Sequence, residues 1–210
     1  MFIPSAFKDD DLQRQFEHIA NTRLAVLVSN GEHGLQATHV PLVLDREAGT
    51  KGTLYGHVAR GNPQWRDLES GAEVLLVFPG ADAYVSPGYY PSKAQDPRTV
   101  PTWNYVALHA WGTPQVIHSP EALLDIVRRL SDQHEQGRAR PWSVDDAPAD
   151  YMQGMLKAIV GFAVPIERLQ YSRKLSQNRS AIDHEGVRSG LAASADPLDN
   201  NLAALMQRQS

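Results

Sequence analysis

The chain has 210 residues, 42% apolar and 21% charged, the balance of an ordinary globular protein with a sizeable core. It contains no cysteine, which excludes disulfides, thiolate nucleophiles, iron–sulfur clusters and Cys-ligated zinc. Lys and Arg number 20 against 24 Asp and Glu, a formal net charge of -4 that lacks the basic footprint of a dedicated nucleic-acid domain, although a local patch is left open.

No apolar run reaches the length of a membrane span; the best candidate, Ile159 to Ile166, is far too short. Met1-Phe2-Ile3-Pro4 leads to Asp9-Asp10-Asp11 without a basic region and an apolar stretch behind it. No signal peptide is read there, and a cytoplasmic location is expected.

In chain order, Arg23 to Ser29 is a short apolar run and reads as a buried strand. Leu35 to Leu44 reads as a second strand, with a bulge or an edge at Pro41. The polar, glycine-containing stretch Asp45 to Gly52 turns into a third strand, Thr53 to Ala59, so the two strands form a hairpin. Asn62-Pro63 supplies a helix cap followed by proline, and predicts a short helix over Gln64 to Glu69. Glu73 to Phe78 is a fourth strand, Pro79 to Asp82 a turn, and Ala83 to Ser86 another strand. Tyr89 to Pro101 is a proline-rich loop. Thr102 to Ile117 is a long strand interrupted at Gly112-Thr113-Pro114.

Ser119-Pro120-Glu121 repeats the cap-then-proline pattern and opens a helix to about His134, with Leu123, Leu124, Val127 and Leu130 as its apolar stripe. Gly137 to Asp146 is a loop, and Ala149 to Ile159 a second helix. Val160 to Ile166 and Leu169 to Lys174 read as the last strands; Asp196-Pro197 caps a C-terminal helix through Leu198, Leu202 and Leu205. Six or seven strands joined mostly by short turns, with helices inserted late, predict an antiparallel barrel with peripheral helices: mainly β, α+β, rather than a doubly wound sheet. No dinucleotide fingerprint, Walker A, HExxH or GxSxG motif occurs.

Three clusters carry chemistry. The first joins Thr38-His39-Val40-Pro41 to Gly56-His57-Val58-Ala59-Arg60-Gly61-Asn62. Arg60 stands where a strand ends and a helix begins; outward N–H groups and a guanidinium fork there suit a phosphate, and a surface ion pair is the plainer alternative. The second runs from Tyr84 to Lys93 and resumes over Val100 to Tyr105, where aromatic rings interleave with small hydroxyls, an amide and Lys93. That mixture suits a planar heterocycle with polar edges, and equally a tyrosine-rich core with turns. The third is Lys174-Leu175-Ser176-Gln177-Asn178-Arg179, two cations and two amides after an apolar strand, which also reads as a solvated turn.

Taken together, "GHVARGNPQW", "YVSPGYYPSK", "VPTWNY", "KLSQNR" and the opening "MFIPSAF" resemble the PaiB family of FMN-binding negative transcriptional regulators. The likeness runs from Met1 to about Leu191, leaving 192–210 as a separate C-terminal helical tail. The family resembles the wider FMN-binding split-barrel group that includes pyridoxine phosphate oxidase, in which the flavin lies at a dimer interface. The resemblance implies an FMN-binding split β-barrel, a homodimer and FMN as cofactor, with no metal. It implies that Thr38, His39, His57, Arg60 and Asn62 line the phosphate and ribityl side of the flavin. Lys93, Thr102, Trp103 and Asn104 approach its ring or the second subunit's side of the site, and Lys174, Ser176, Gln177 and Arg179 border it. The group's Ser-Arg-Lys phosphate motif is replaced by Ala59-Arg60-Gly61-Asn62.

The regulator role rests on the resemblance alone. No helix-turn-helix is read, since the helices from Ser119 and Ala149 are separated by a long loop and neither has a basic face. DNA contact is therefore open but unsupported by charge. A flavin-dependent oxidoreductase of unknown substrate is the alternative, because hydride chemistry belongs to the flavin. A third reading has His39, His57 and His109 converge on a haem or metal; its plain alternative is hydrogen bonding within the core or to the flavin.

Overall fold

The computed structural model describes residues 1–32 and 34–207, which gather into two units. Unit 2 comprises Leu12–Phe78 and His109–Leu169. It holds α1 (Leu12–Asn21), β1 (Ala25–Gly31), β2 (Gly34–Val40), β3 (Val43–Asp45), β4 (Thr53–Ala59), α2 (Gln64–Glu69) and the first part of β5 (Val74–Val85). The end of β6 (Thr102–Gly112) returns to it, followed by β7 (Gln115–Ile117), α3 (Pro120–Glu135), α4 (Ala149–Lys157) and β8 (Ile159–Pro165). Unit 1 comprises Met1–Asp11, Pro79–Leu108 and the chain from Gln170 onward, with most of β9 (Arg168–Lys174), α5 (Ala181–Ala192) and α6 (Pro197–Leu205).

The strands form a five-stranded sheet in the order β2-β1-β5-β6-β9 and a four-stranded sheet in the order β3-β4-β8-β7. β1 and β2 make an antiparallel hairpin from Ala25↔Val40 to Gly31↔Gly34, and β4 pairs with β8 from Thr53↔Pro165 to Ala59↔Ile159. Leu27, Leu54, Leu76 and Phe162 are fully enclosed in unit 2. Each such side chain contributes about 1.5–3 kcal/mol on burial. The N-caps expected at Ser119 and Asp196 form: Ser119 Oγ accepts from Ala122 N, and Asp196 Oδ1 from Leu198 N.

Several strand boundaries differ from the sequence reading. The single strand expected over Leu35 to Leu44 is two strands in different sheets. Pro41 has no N–H to continue a ladder, and the chain crosses from one sheet to the other at that point. The turn expected at Pro79 to Asp82 is instead part of the continuous β5. Burial alternates through Val74, Leu76 and Phe78 and resumes at Ala83 and Val85, a slip of one residue that reads locally as a turn. The interruption expected near Gly112 does separate β6 from β7; a Cβ on Gly112 would lie 2.1 Å from the Pro165 carbonyl oxygen. The sequence reading placed no helix over Leu12–Asn21 or Ala181–Ala192, where α1 and α5 form. The loop from Tyr89 contains a 3-10 turn at Pro91–Ala94.

One face of the unit 2 part of the five-stranded sheet is uncovered. On it Val26 stands between His39 and Val77, and Val28 between Ala37 and Leu75, while Leu35 beyond them is 77% exposed. Among the described residues, no helix is long and apolar enough to cross a membrane.

Candidate functional site

In unit 2 the end of β4 turns sharply, with Asn62 N donating to Ala59 O at 2.9 Å. Asn62 is then locked from both ends of its amide. Its Nδ2 donates to Thr38 Oγ1 (2.9 Å) and its Oδ1 accepts from Gln64 N (3.0 Å). The first N–H of α2, expected to point at an anion, is therefore already engaged. Arg60 is exposed, but its guanidinium is not loose: Nε donates to Lys157 O (2.8 Å) and Nη2 to Ile159 O (2.9 Å). Lys157 O ends α4 and Ile159 O opens β8, so the cation sits beside the negative pole of that helix. The remaining donors of the fork, Nη1 above all, are held in a fixed direction.

A polar network under this turn fixes α2 on β1 and β2. Gln64, fully buried, donates from Nε2 to Leu27 O and Ser29 Oγ (both 3.1 Å). Asp67 Oδ2 accepts from Ser29 Oγ (2.8 Å) and Gln36 Nε2 (3.0 Å). A Cβ on Gly31 would overlap the Asp67 carboxylate, so the end of β1 has to be glycine. Side chains alternate along β2, so Thr38 faces this network while His39 lies on the opposite, uncovered face.

His57 is not brought to that turn. With Tyr55 it occupies the face of β4 that packs against α3, and it enters a cavity of about 280 Å³ beside Pro41, Val127, Leu130, Ser131 and Trp142. Its Nδ1 is buried without a hydrogen-bond partner, and burial holds its pKa below the usual value. The loop after α3 is tied down. Glu135 Oε2 accepts from Trp142 N (3.1 Å), Ser143 and Asp146 cap each other, and Arg128 clasps Asp145 through both guanidinium ends (2.6 and 2.8 Å). Sequence reasoning did not single out Ser131, Glu135 or Trp142; the one available signal was a tryptophan stranded in a polar loop.

In unit 1 the turn after β9 gathers most of the residues expected there. Ser176 adopts φ 61°, the left-handed region, without being glycine. Its hydroxyl and the fully buried Asn104 amide bond each other: Asn104 Nδ2 donates to Ser176 Oγ (2.9 Å), and Ser176 Oγ donates to Asn104 Oδ1 (3.3 Å). Gln177 folds back, accepting from Leu175 N and donating to Arg173 O. Lys174 Nζ donates to Thr102 Oγ1 (2.7 Å); burial, and then the Arg179 charge, lower its pKa. Arg179 lies over the Tyr90 ring at 4.8 Å. Lys93 is exposed, and Trp103 packs edge-on against Tyr84 rather than into the turn. α5 braces the "YVSPGYYPSK" segment: Asp183 accepts from Ser92 N and Oγ, and Gly190 leaves room for the Tyr89 ring.

The three histidines do not form a ligand set. His39 is exposed, His57 faces α3, and His109 sits edge-on to Trp111 with its Nδ1 buried and unpartnered. Among the described residues, no three His, Cys, Asp or Glu are grouped to hold a metal ion.

The two antiparallel sheets with peripheral helices are those of a split barrel, the fold of flavin-binding proteins. The family described as "Putative FMN-binding domain" matches residues 1–168, and the chain belongs to it. It is 31% identical over 207 residues to the protease synthase and sporulation protein PAI 2 of Bacillus subtilis, covering 99% of this chain and 97% of that protein. The PaiB resemblance is thereby borne out. Among solved structures, the FAD and heme binding protein of Mycobacterium smegmatis aligns with a TM-score of 0.57 at 18% identity, over 87% of this chain and 80% of that one. The flavocytochrome Anf3 of Azotobacter vinelandii also aligns at 0.57, with 15% identity over 80% of this chain and 69% of its own. These likenesses establish the split-barrel fold, and with the family match they make the chain a flavin-binding protein.

Proposed function

We propose that the flavin is FMN and that its phosphate is received in unit 2 by Arg60, Asn62 and Thr38. The observation that carries this is the clamped guanidinium. Lys157 O at the end of α4 and Ile159 O at the start of β8 orient Arg60, and two residues further along the chain the Asn62 amide and the Thr38 hydroxyl already hold each other. A fork fixed before the ligand arrives loses little on binding a phosphate. No carboxylate lies within ion-pair distance of Arg60 among the contacts described, so its charge is available to an anion. When bound, FMN supplies hydride and electron chemistry. The protein's part is to fix the phosphate, satisfy the polar edges and exclude water.

We further propose a cytoplasmic homodimer built on the uncovered sheet face. Val26, Val28, Leu75, Val77 and Leu35 form an apolar surface with little reason to face water, and a second copy is the partner that the family resemblance implies. As a member of its family, the protein acts as a regulator of transcription through the bound flavin or a partner protein. Net charge gives no support to strong direct DNA binding.

Titration of the flavin-free protein with FMN and with riboflavin tests the phosphate assignment. The wild type is expected to prefer FMN, and Arg60→Ala to weaken FMN about tenfold while leaving riboflavin nearly unchanged, as the loss of one charge-assisted contact implies. Equal weakening of both ligands refutes the assignment. For the role, a mobility-shift titration against the protein's own upstream DNA at physiological salt is decisive. Nanomolar sequence-specific binding makes the regulation direct; no shift together with NAD(P)H-dependent bleaching of the flavin favours an oxidoreductase.

A further inference from the structure

We propose that unit 1 carries an anion site separate from the one assigned to Arg60: Lys174 at the last residue of β9 and Arg179 at the far end of the turn that follows take the phosphate group of a phosphate monoester, with the Thr102 hydroxyl as a third donor. The two sites lie in different units and stand or fall independently.

Among the described residues of unit 1, most cations already have a carboxylate. Lys8 pairs with Asp10 (2.7 Å), Arg98 with Asp96 (2.8 Å), Arg173 with Asp9 (3.6 Å) and Arg188 with Glu185 (2.6 Å). Lys93 is unpaired but exposed. Lys174 and Arg179 have no carboxylate within ion-pair distance, and Lys174 is half-buried. Asp183 feels the Arg179 charge, but its oxygens are already engaged by Ser92 N (3.0 Å) and Ser92 Oγ (2.8 Å). Burial, and then the Arg179 charge, hold the Lys174 pKa down. Two like charges gathered without a counter-ion are costly, and an oxyanion between them offsets that cost.

The turn that carries these donors is set before a ligand arrives. Arg179 N donates to Ser176 O (3.0 Å), and Gln177 ties the turn back to β9 by accepting from Leu175 N and donating to Arg173 O. The exposed Arg179 guanidinium lies 4.8 Å over the ring of Tyr90, which is itself buried, and its N–H edges are left for a ligand. Lys174 Nζ donates to Thr102 Oγ1 (2.7 Å) and has donors to spare. Thr102 accepts that bond and keeps its own O–H for an oxygen of the ligand. A point charge, a hydroxyl and a planar fork suit a tetrahedral group with several oxygens. A phosphate monoester is such a group, and with a second pKa of about 6 it is mostly a dianion at neutral pH, matching the two cations.

The test titrates the full, flavin-free chain with inorganic phosphate at constant ionic strength and follows the Lys174 side chain by NMR. A saturable response is expected, with the Lys174 pKa rising as phosphate binds, because an adjacent anion favours the ammonium. Arg179→Gln is expected to weaken phosphate at least about tenfold, the loss of one charge-assisted contact. Thr102→Ala is expected to weaken it severalfold, and keeps the test valid should the first variant not fold. Arg98→Gln, which removes an exposed cation already paired with Asp96, is expected to leave the response unchanged. Saturating FMN is likewise expected to leave it unchanged. No saturable rise in the Lys174 pKa, or as large a loss in Arg98→Gln as in Arg179→Gln, overturns the proposal. Displacement of phosphate by FMN also overturns it, because the pair then belongs to the flavin's own site; the Arg60 assignment is tested separately by FMN against riboflavin.

Discussion

Replacing Ser176 separates two energies that the native turn combines. Its hydroxyl is the hydrogen-bonding partner of a fully buried amide, Asn104, whose other side-chain hydrogen bond among the described residues is a long one to the Met206 thioether at 4.0 Å. Ser176→Ala keeps the left-handed backbone and strands that amide, at a cost of about 1–3 kcal/mol. Ser176→Gly strands it equally but relieves the penalty of a side chain at φ 61°, about 1 kcal/mol. Both variants are therefore expected to be less stable than the parent, with glycine above alanine by about 1 kcal/mol. For a urea m-value of about 2 kcal/mol/M, that is a midpoint difference on the order of 0.5 M. Urea unfolding followed by tryptophan fluorescence reads both steps. If alanine matches the parent, the Asn104 bond contributes nothing; if glycine and alanine coincide, the backbone at this position stores no strain.

Two further outcomes are expected. Val28→Glu, which places a charge at the centre of the uncovered sheet face, should convert the proposed homodimer to monomer in sedimentation velocity; a variant that stays dimeric moves the interface elsewhere. His57 has its pKa lowered in the folded chain, so stability is fully present above its unfolded value near 6.5 and is lost as pH falls below it, because the unfolded chain takes up the proton more readily. Thermal unfolding between pH 8 and 5 should show a decline that flattens in His57→Gln, and an unchanged slope in that variant assigns the decline to other groups.

Much of this fold is legible in the sequence, and the failures have particular causes. Thr53 to Ala59 and Gln64 to Glu69 form as read, because each is bounded by turn residues or a cap that nothing long-range overrides. α5 escaped because Gly186 and Gly190 lower helix propensity by about 1 kcal/mol each and its buried face includes Asp183 and His184. Those glycines are legible only once Tyr89 is seen against them. α1 escaped because its buried side is narrow, with Gln15 beside Phe16 and Ile19. At the site, Thr38 with Asn62, Lys174 with Thr102 and Asn104 with Ser176 do meet, as motif residues on paired or adjacent elements. What the motifs could not convey was direction. One step of strand alternation puts His39 outside, and the face of β4 turns His57 toward a helix more than sixty residues away in the chain.

The slip in β5 gives one segment a residue more than a regular pleat needs. Phe78 and Ala83, both buried, are separated by an even number of residues, whereas a regular pleat puts an odd number between inward-facing side chains. Deleting any single residue from Pro79 to Asp82 would leave three residues between them, and a regular pleat would then carry Phe78, Ala83 and Val85 to the same side. Tyr84 would keep its outward place, and no bulky phenol would enter the space shaped for alanine and valine. Within this segment the chain is therefore expected to tolerate the loss of one residue more readily than a charged side chain at Ala83 or Val85.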